Sequence, residues 1–432
     1  MSNLVPDGWY VTTVGESCFV TKLAGYEYTS HFDYSIGGEI IAVRVLNLKK
    51  GKLDLSKVQT IPKAVSDALP RSKLAKNDLV ISYVGTVGEV AFIDKDNKYH
   101  LAPNVAKVTP DSDKINGKYL AQVFTSDETQ KSIKLLGSIT SQPSLSMGSL
   151  RKVSLLSPPL PEQQKIAAIL TSVDNVIEKT QAQIDKLKDL KSGMMQELLT
   201  KGVGIKQGDK YEPHTEFKDS PVGRIPKNWQ VVSLENLVKD DKKITYGIVQ
   251  AGPHHEGGIP YIRVSDMNSR YLTKKGMLLT SPEIAKKFER SAVSAGDIVY
   301  ALRGMIGHVH IIPNELDGAN LTQGTARISP SSNIDTGFLL WAMRSPYVAE
   351  QNDLEAKGST FKEVTLASLR KIQIAVPLDN EQKFISAVLT SVESKIFATE
   401  DKLEQTKNLK KALMQDLLTG KVRVKVDNDL VS

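Results

Sequence analysis

Apolar residues recur in alternating steps of three and four along two stretches of the chain. Ile166, Leu170, Val173, Ile177, Thr180, Ile184 and Leu187 mark the first stripe; Ile385, Leu389, Val392, Ile396, Thr399, Leu403 and Thr406 mark the second. This spacing puts one apolar seam on an α-helix. The first helix is expected from Glu162 to about Thr200, roughly 39 residues or about 58 Å at 1.5 Å per residue. Two matching seams in one chain favour pairing with each other over an intermolecular coiled coil. Before each helix the pattern changes to short β-rich runs such as DLVISYV and GEVAFI, separated by glycine turns, with short helical stretches KYLAQVFTS and GFLLWAMRS following. That alternation predicts an α+β globular part.

The two halves are copies. EQQKIAAILTSVD begins at Glu162 and EQKFISAVLTSVE at Glu381, 219 positions later. KDLKSGMMQELLTKGV from Lys188 returns as KNLKKALMQDLLTGKV from Lys407 at the same offset. Weaker, collinear matches cover the remainder: VPDGWYV with IPKNWQV, VRV at Val43 with IRV at Ile262, NDLVISYVGTVGEVAFI with GDIVYALRGMIGHVHII, and GSITSQPSLSMGSLRKV with GSTFKEVTLASLRKI. A repeat of this length makes each half one structural unit. The expected organisation is a globular domain at 1–158, a central helix at 159–202, a linker and second globular domain at 203–376, and a C-terminal helix at 377–432. Gly202 to Pro226, rich in turn formers, reads as the linker.

Composition narrows this little. The 432 residues are 40% hydrophobic, with 56 Lys+Arg against 49 Asp+Glu, a net charge of +7. A mixed basic balance admits nucleic acid or an acidic surface as partner. From Glu162 to Lys201 six lysines meet six acids, so the flanks of the first helix read as solvated. The single cysteine, Cys18, precludes an internal disulfide and fits a reducing cytoplasm, as a buried spectator thiol. The first residues lack a signal-peptide pattern, and no uncharged apolar run of about 18 residues suggests a membrane span.

Catalytic signatures are missing. There is neither a GxxxxGK[ST] phosphate loop nor an HExxH metal motif. SPPL at Ser157 echoes the [DNS]PP[YFW] motif of amino-methyltransferases, but Leu160 replaces the aromatic that would stack a flipped base. Asp335 with Glu355 and Lys357 has metal-nuclease spacing, yet the first copy offers Leu136 at the place of Glu355, so a solvated loop is the better reading. His308 and His310, with His254 and His255, form too loose a constellation for a metal centre.

PPLPEQQKIAAIL, the helix ending in MMQELLTKGV and the following HTEFKDSPVGRIPKNWQVV closely resemble the DNA-specificity subunits of type I restriction-modification systems. VPLDNEQKFISAVL and LMQDLLTGKV extend the resemblance over essentially the whole chain, although PLDNEQ departs from the PLPEQ form. The resemblance implies an α+β fold: two pseudo-symmetric α/β globular target recognition domains joined by two long antiparallel coiled-coil helices. It implies a non-catalytic subunit in which each domain reads half of a bipartite, asymmetric site on double-stranded DNA. The helices would act as spacer and as docking rails for two methyltransferase subunits that carry S-adenosylmethionine and methylate adenine N6. Restriction/translocase subunits using ATP and Mg would complete the complex. The alternative is a coiled-coil scaffold whose paired domains bind other ligands and not DNA.

Reading bases requires donors and acceptors on loops, held by phosphate contacts. The glycine loop offers Ser82, Tyr83 and Thr86, and its counterpart Arg303 and His308. Arg44 and Arg263 end matching apolar runs and suit phosphate contact, or pairing with an acid inside the domain. Asn104, Gln323 and Thr325 lie in another matched region, the two amides suited to adenine. The loops before the helices add Ser138, Thr140, Ser141 and Gln142, and Ser359, Thr360 and Lys362.

Overall fold

The structure, a computed structural model, describes residues 5–25, 34, 37–137, 143–208, 210–355 and 363–426. It divides into two compact units, Met1–Gln181 with Asp401–Ser432, and Ala182–Glu400. The helices Leu160–Thr200 and Asp379–Leu417 therefore each contribute to both units.

In the first unit Cys18–Lys22, Val105–Pro110, Leu79–Ser82 and Val90–Phe92 form an antiparallel sheet in that order. Leu79–Ser82 is buried along its whole length because both faces of the sheet are covered, which is why LVIS does not alternate. A second sheet orders Gln59–Ile61, Ile40–Val43, Tyr99–Leu101 and Lys73–Leu74, with Ile40–Val43 parallel to Tyr99–Leu101. Val43, Leu74, Val80, Ile93, Leu101 and Val105 fill the core that these sheets share. Tyr10–Thr13 pairs with Ser154–Ser157, bringing the start of the domain to the start of the helix.

The second unit repeats the plan. Thr245–Tyr246, Thr325–Ile328, Ile298–Ala301 and Val309–Ile311 form one sheet; Leu279–Thr280, Ile259–Ile262 and Asn320–Leu321 form another; Gln230–Ser233 pairs with Gln373–Val376. The parallel pair recurs between Ile259–Ile262 and Asn320–Leu321. Even the helix caps match: the Asn116 side chain accepts from Tyr119 N, and Asp335, at the equivalent place, accepts from Phe338 N. Asp335 is thus a helix cap, not part of a loop.

Every residue named in the two seams is buried or half-buried. The seams do more than meet each other. Ile166 and Leu170 sink into the first domain's core beside Leu417 and Leu418, and Ile385 and Leu389 into the second beside Leu199. Within each unit the helices run antiparallel: Asp174 pairs with Lys410 at 2.7 Å and Glu162 with Arg423 at 2.7 Å, while Lys188 pairs with Glu400 at 2.7 Å and Lys191 with Glu393 at 3.2 Å. Asp174–Lys410 and Glu393–Lys191 are the same pair in the two copies, so part of the helix charge is internally matched rather than simply solvated.

Each helix start is clamped by a buried Glu-Gln pair. Glu162 accepts from the Trp9 indole at 3.0 Å and from Arg423. Glu381 accepts from the Trp229 indole at 2.9 Å, from Val203 N and Gly204 N, and from His214 Nε2 at 2.9 Å. Gln163 and Gln382 accept from the backbone of the cap residues Asn116 and Asp335. The segment read as a linker therefore does more than connect. It forms two hairpins, Ile205–Gln207 with Lys210–Glu212 and Phe217–Ser220 with Gly223–Pro226, and places Val222 and Ile225 in the second core.

Each domain also touches its helix with a different chemistry. Lys52 pairs with Glu178 at 2.6 Å in the first unit. At the equivalent place in the second, Tyr271 meets Phe397 edge-on, with ring centroids 5.6 Å apart, and the Arg270 guanidinium lies 4.3 Å from the Phe397 ring.

Candidate nucleic-acid interface

The glycine loops follow the central strand of each domain. Gly85 and Gly88 in the first, and Gly304 and Gly307 in the second, all have left-handed φ between 69° and 94°, a turn that other residues adopt at a cost of about 1–2 kcal/mol. In the first domain Ser82 Oγ donates to the Thr86 carbonyl and accepts from Glu89 N at 2.9 Å. Gln130 adds a second tie, its amide donating to the Gly88 carbonyl at 2.8 Å. Ala301 and Ala349 stand at the matched positions of the second domain. There the loop borders a cavity of about 440 Å³ with His308, Arg344 and Asn352 in its wall.

In the first domain a larger open cleft, about 1190 Å³, gathers residues far apart in sequence: Tyr34, Arg44, Lys50, Lys57, Thr86 and Asn104. Thr86 and Asn104 are exposed, and Asn104 adopts φ +68°, which turns the chain back so that its carbonyl accepts from Tyr83 N. Lys22 Nζ sits 5.1 Å from the Tyr83 ring centre, and burial pushes the Tyr83 phenol above its ordinary pKa, so it remains a hydrogen-bond donor. Lys49 is neutralised by Asp54, leaving Arg44, Lys50 and Lys57 without a carboxylate partner among the described residues.

Three sequence-derived candidates change role. Ser82 is fully buried and organises its loop from inside, so it does not present a hydroxyl to a ligand. Thr325 is likewise fully buried, donating to the Thr322 carbonyl at 3.1 Å. Arg263 is held by Asp266 through Nε at 3.1 Å and Nη2 at 2.6 Å, and this pairing raises its pKa further. Arg303 is half-buried and forms a backbone bridge with Glu363; His308 is exposed and Gln323 half-buried. His310 is not paired with His308 around a shared ligand: its Nε2 meets the Met267 carbonyl at 3.0 Å, and burial lowers its pKa. Ser138, Thr140, Ser141, Gln142, Ser359, Thr360 and Lys362 lie outside the described residues. Lys50, Lys57 and Gln130 were not singled out from sequence; for Gln130 the contrast with Ala349 at the same offset was the available signal.

The profile of the type I restriction modification DNA specificity domain matches the chain twice, over residues 23–189 and 226–408. The chain belongs to this family. Each match takes in one globular domain and most of the long helix that follows it, so type I specificity domains account for both copies of the repeat. Among relatives, the putative type I restriction enzyme MjaX specificity subunit of Methanocaldococcus jannaschii is 27% identical over 434 residues, covering 98% of this chain and 95% of the relative. The type I restriction enzyme MjaVIII specificity subunit of the same organism is 27% identical over 98% of this chain and 94% of its own length. In fold, this member of the specificity family is similar to the S subunit of a type I restriction-modification system from M. genitalium, with TM-score 0.59 at 14% identity over 96% of this chain and 98% of that one. No helix among the described residues is long and apolar enough to cross a membrane.

Proposed function

We propose that this chain is the DNA-reading subunit of a type I restriction-modification enzyme and carries no catalytic centre of its own. The observation that supports it best is the double family match on a sequence whose two copies share helix clamps but differ in cleft chemistry. Each globular domain reads one half of a bipartite duplex site, and the long helices set the spacing. Two methyltransferase subunits dock along the helices and supply S-adenosylmethionine; restriction/translocase subunits supply ATP- and Mg-dependent cleavage, in the cytoplasm. The second domain can serve a half-site of different sequence because its loop carries Arg303 and His308 where the first carries Val84 and Glu89.

The test is methylome sequencing of a host that expresses the chain with its methyltransferase. A bipartite methylated motif is expected. Four residues inserted at matched points of both helices add roughly 6 Å, close to two base pairs at about 3.4 Å each, and the unspecified gap should widen by that amount with the half-sites unchanged. Altered half-sites with an unchanged gap would refute the spacer; loss of any bipartite motif in the unmodified chain would refute the DNA reading.

A further inference from the structure

Arg44 and Arg263 occupy the same place in the two copies, at the end of the strand that is parallel to Tyr99–Leu101 or Asn320–Leu321. Three residues on, the copies differ by one functional group: Asn47 in the first and Asp266 in the second. Both side chains make the same local bond. Asn47 Oδ1 accepts from Arg44 N at 3.1 Å, and Asp266 Oδ2 accepts from Arg263 N at 2.9 Å. The difference is charge. Asp266 folds back on Arg263 as a two-pronged ion pair. Asn47 instead donates its amide to the Asp54 and Lys57 carbonyls, at 2.9 and 3.0 Å, and fastens the strand of chain that forms one wall of the cleft. Arg44 donates through Nη2 to the same Lys57 carbonyl at 3.2 Å, and its buried Nε has no partner among the described residues.

A guanidinium is a rigid fork that matches a pair of oxygens, or the O6/N7 edge of guanine. Arg44 has that fork unneutralised in a cleft that also holds Lys50, Lys57, Thr86 and Asn104. We infer that Arg44 makes a direct two-acceptor contact with DNA in the first domain, and that Asp266 removes the equivalent contact from the second by neutralising Arg263. The identity of position 47 or 266 thus decides whether this arginine reads DNA, and the two half-sites are bound with different chemistry. This rests on the DNA-reading function proposed above.

The experiment measures binding of the full-length chain to a labelled mixed-sequence duplex across a salt series. The variants are Arg44→Gln, Asn47→Asp and Arg263→Gln, each checked for folding by circular dichroism. Arg44→Gln should weaken binding by at least about fivefold, the low end of what one good arginine contact contributes. Asn47→Asp should do the same, and Arg263→Gln should leave affinity within about twofold while lowering the melting temperature. If the acceptors are phosphate oxygens, the logarithmic salt slope falls by about 0.9. If they belong to guanine, mixed-sequence affinity changes less, and selection from a randomised duplex pool shows one guanine position relaxed. Should Asn47→Asp fail to fold, Arg44→Gln alone decides. Wild-type binding with neither signature in Arg44→Gln overturns this inference alone; no duplex binding by the unsubstituted chain overturns the DNA-reading function with it.

Discussion

Replacing Glu381 with alanine tests whether the clamp at the second helix start is a main support of its unit. The carboxylate is 3% exposed and receives four donors: the Trp229 indole, Val203 N, Gly204 N and His214 Nε2. Each buried donor left without a partner costs about 1–3 kcal/mol, but opening the site lets water reach some of them, so the terms do not add. Breaking such a buried charged network costs about 3–5 kcal/mol. With a urea dependence of about 2–3 kcal/mol per M, the midpoint should fall by about 1–2 M. Tryptophan emission is the assay, since two of the three tryptophans, Trp229 and Trp341, lie in this unit. Glu381→Gln, which keeps one acceptor oxygen, should lose roughly half as much, and combining Glu381→Ala with Trp229→Phe should show a coupling of about 1–2 kcal/mol. A loss under about 1 kcal/mol, or no coupling, would refute the reasoning.

Gly202→Ala should disrupt the same clamp from the other side: at φ +71° its Cβ would lie 2.2 Å from Glu381 Oε1 and 2.7 Å from the Trp229 ring, so a loss of about 2 kcal/mol or more is expected in thermal melting, and a neutral variant would contradict it. Burial, with Asp111 nearby, pushes the Cys18 thiol up to about 12. It should resist iodoacetamide at pH 8 until denaturant is added, and rapid labelling of the native chain would show the site to be open. Because the folded thiol holds its proton more tightly than the unfolded one, its contribution to stability is complete below the ordinary thiol range and is lost as pH climbs towards about 12. Gln130→Ala should free the Gly88 and Phe124 carbonyls and speed amide hydrogen exchange across residues 85–89, as measured by mass spectrometry; unchanged exchange would mean the Ser82 bonds suffice.

The long helices were legible because a seam at three-four spacing needs only the local period, and the repeat because identity at a constant offset does not depend on folding. Arg263 could be read in part: an acid three residues on is visible, while the fork geometry of Asp266 is not. Ser82 and Thr325 misled because a hydroxyl beside a glycine turn looks the same whether its strand is covered on one face or both, and Leu79–Ser82 and Thr325–Ile328 are buried at every position. The segment 202–226 was illegible for the opposite reason. Its strand Ile205–Gln207 is exposed throughout and has no alternation to detect, and the residues that matter, Val203, Gly204 and His214, act on Glu381 across more than 160 positions.

The contact between each domain and its helix bears on how such proteins can be recombined. Lys52 with Glu178 and Tyr271 with Phe397 are two solutions to one packing problem, and they do not interchange. A chimera that joined the second globular domain to the first helix would set Tyr271 beside Glu178; the reverse exchange would set Lys52 beside Phe397. New specificities assembled by shuffling domains should therefore succeed more often when the crossover falls beyond the helix residue that each domain grips, so that position 178 or 397 travels with its own partner.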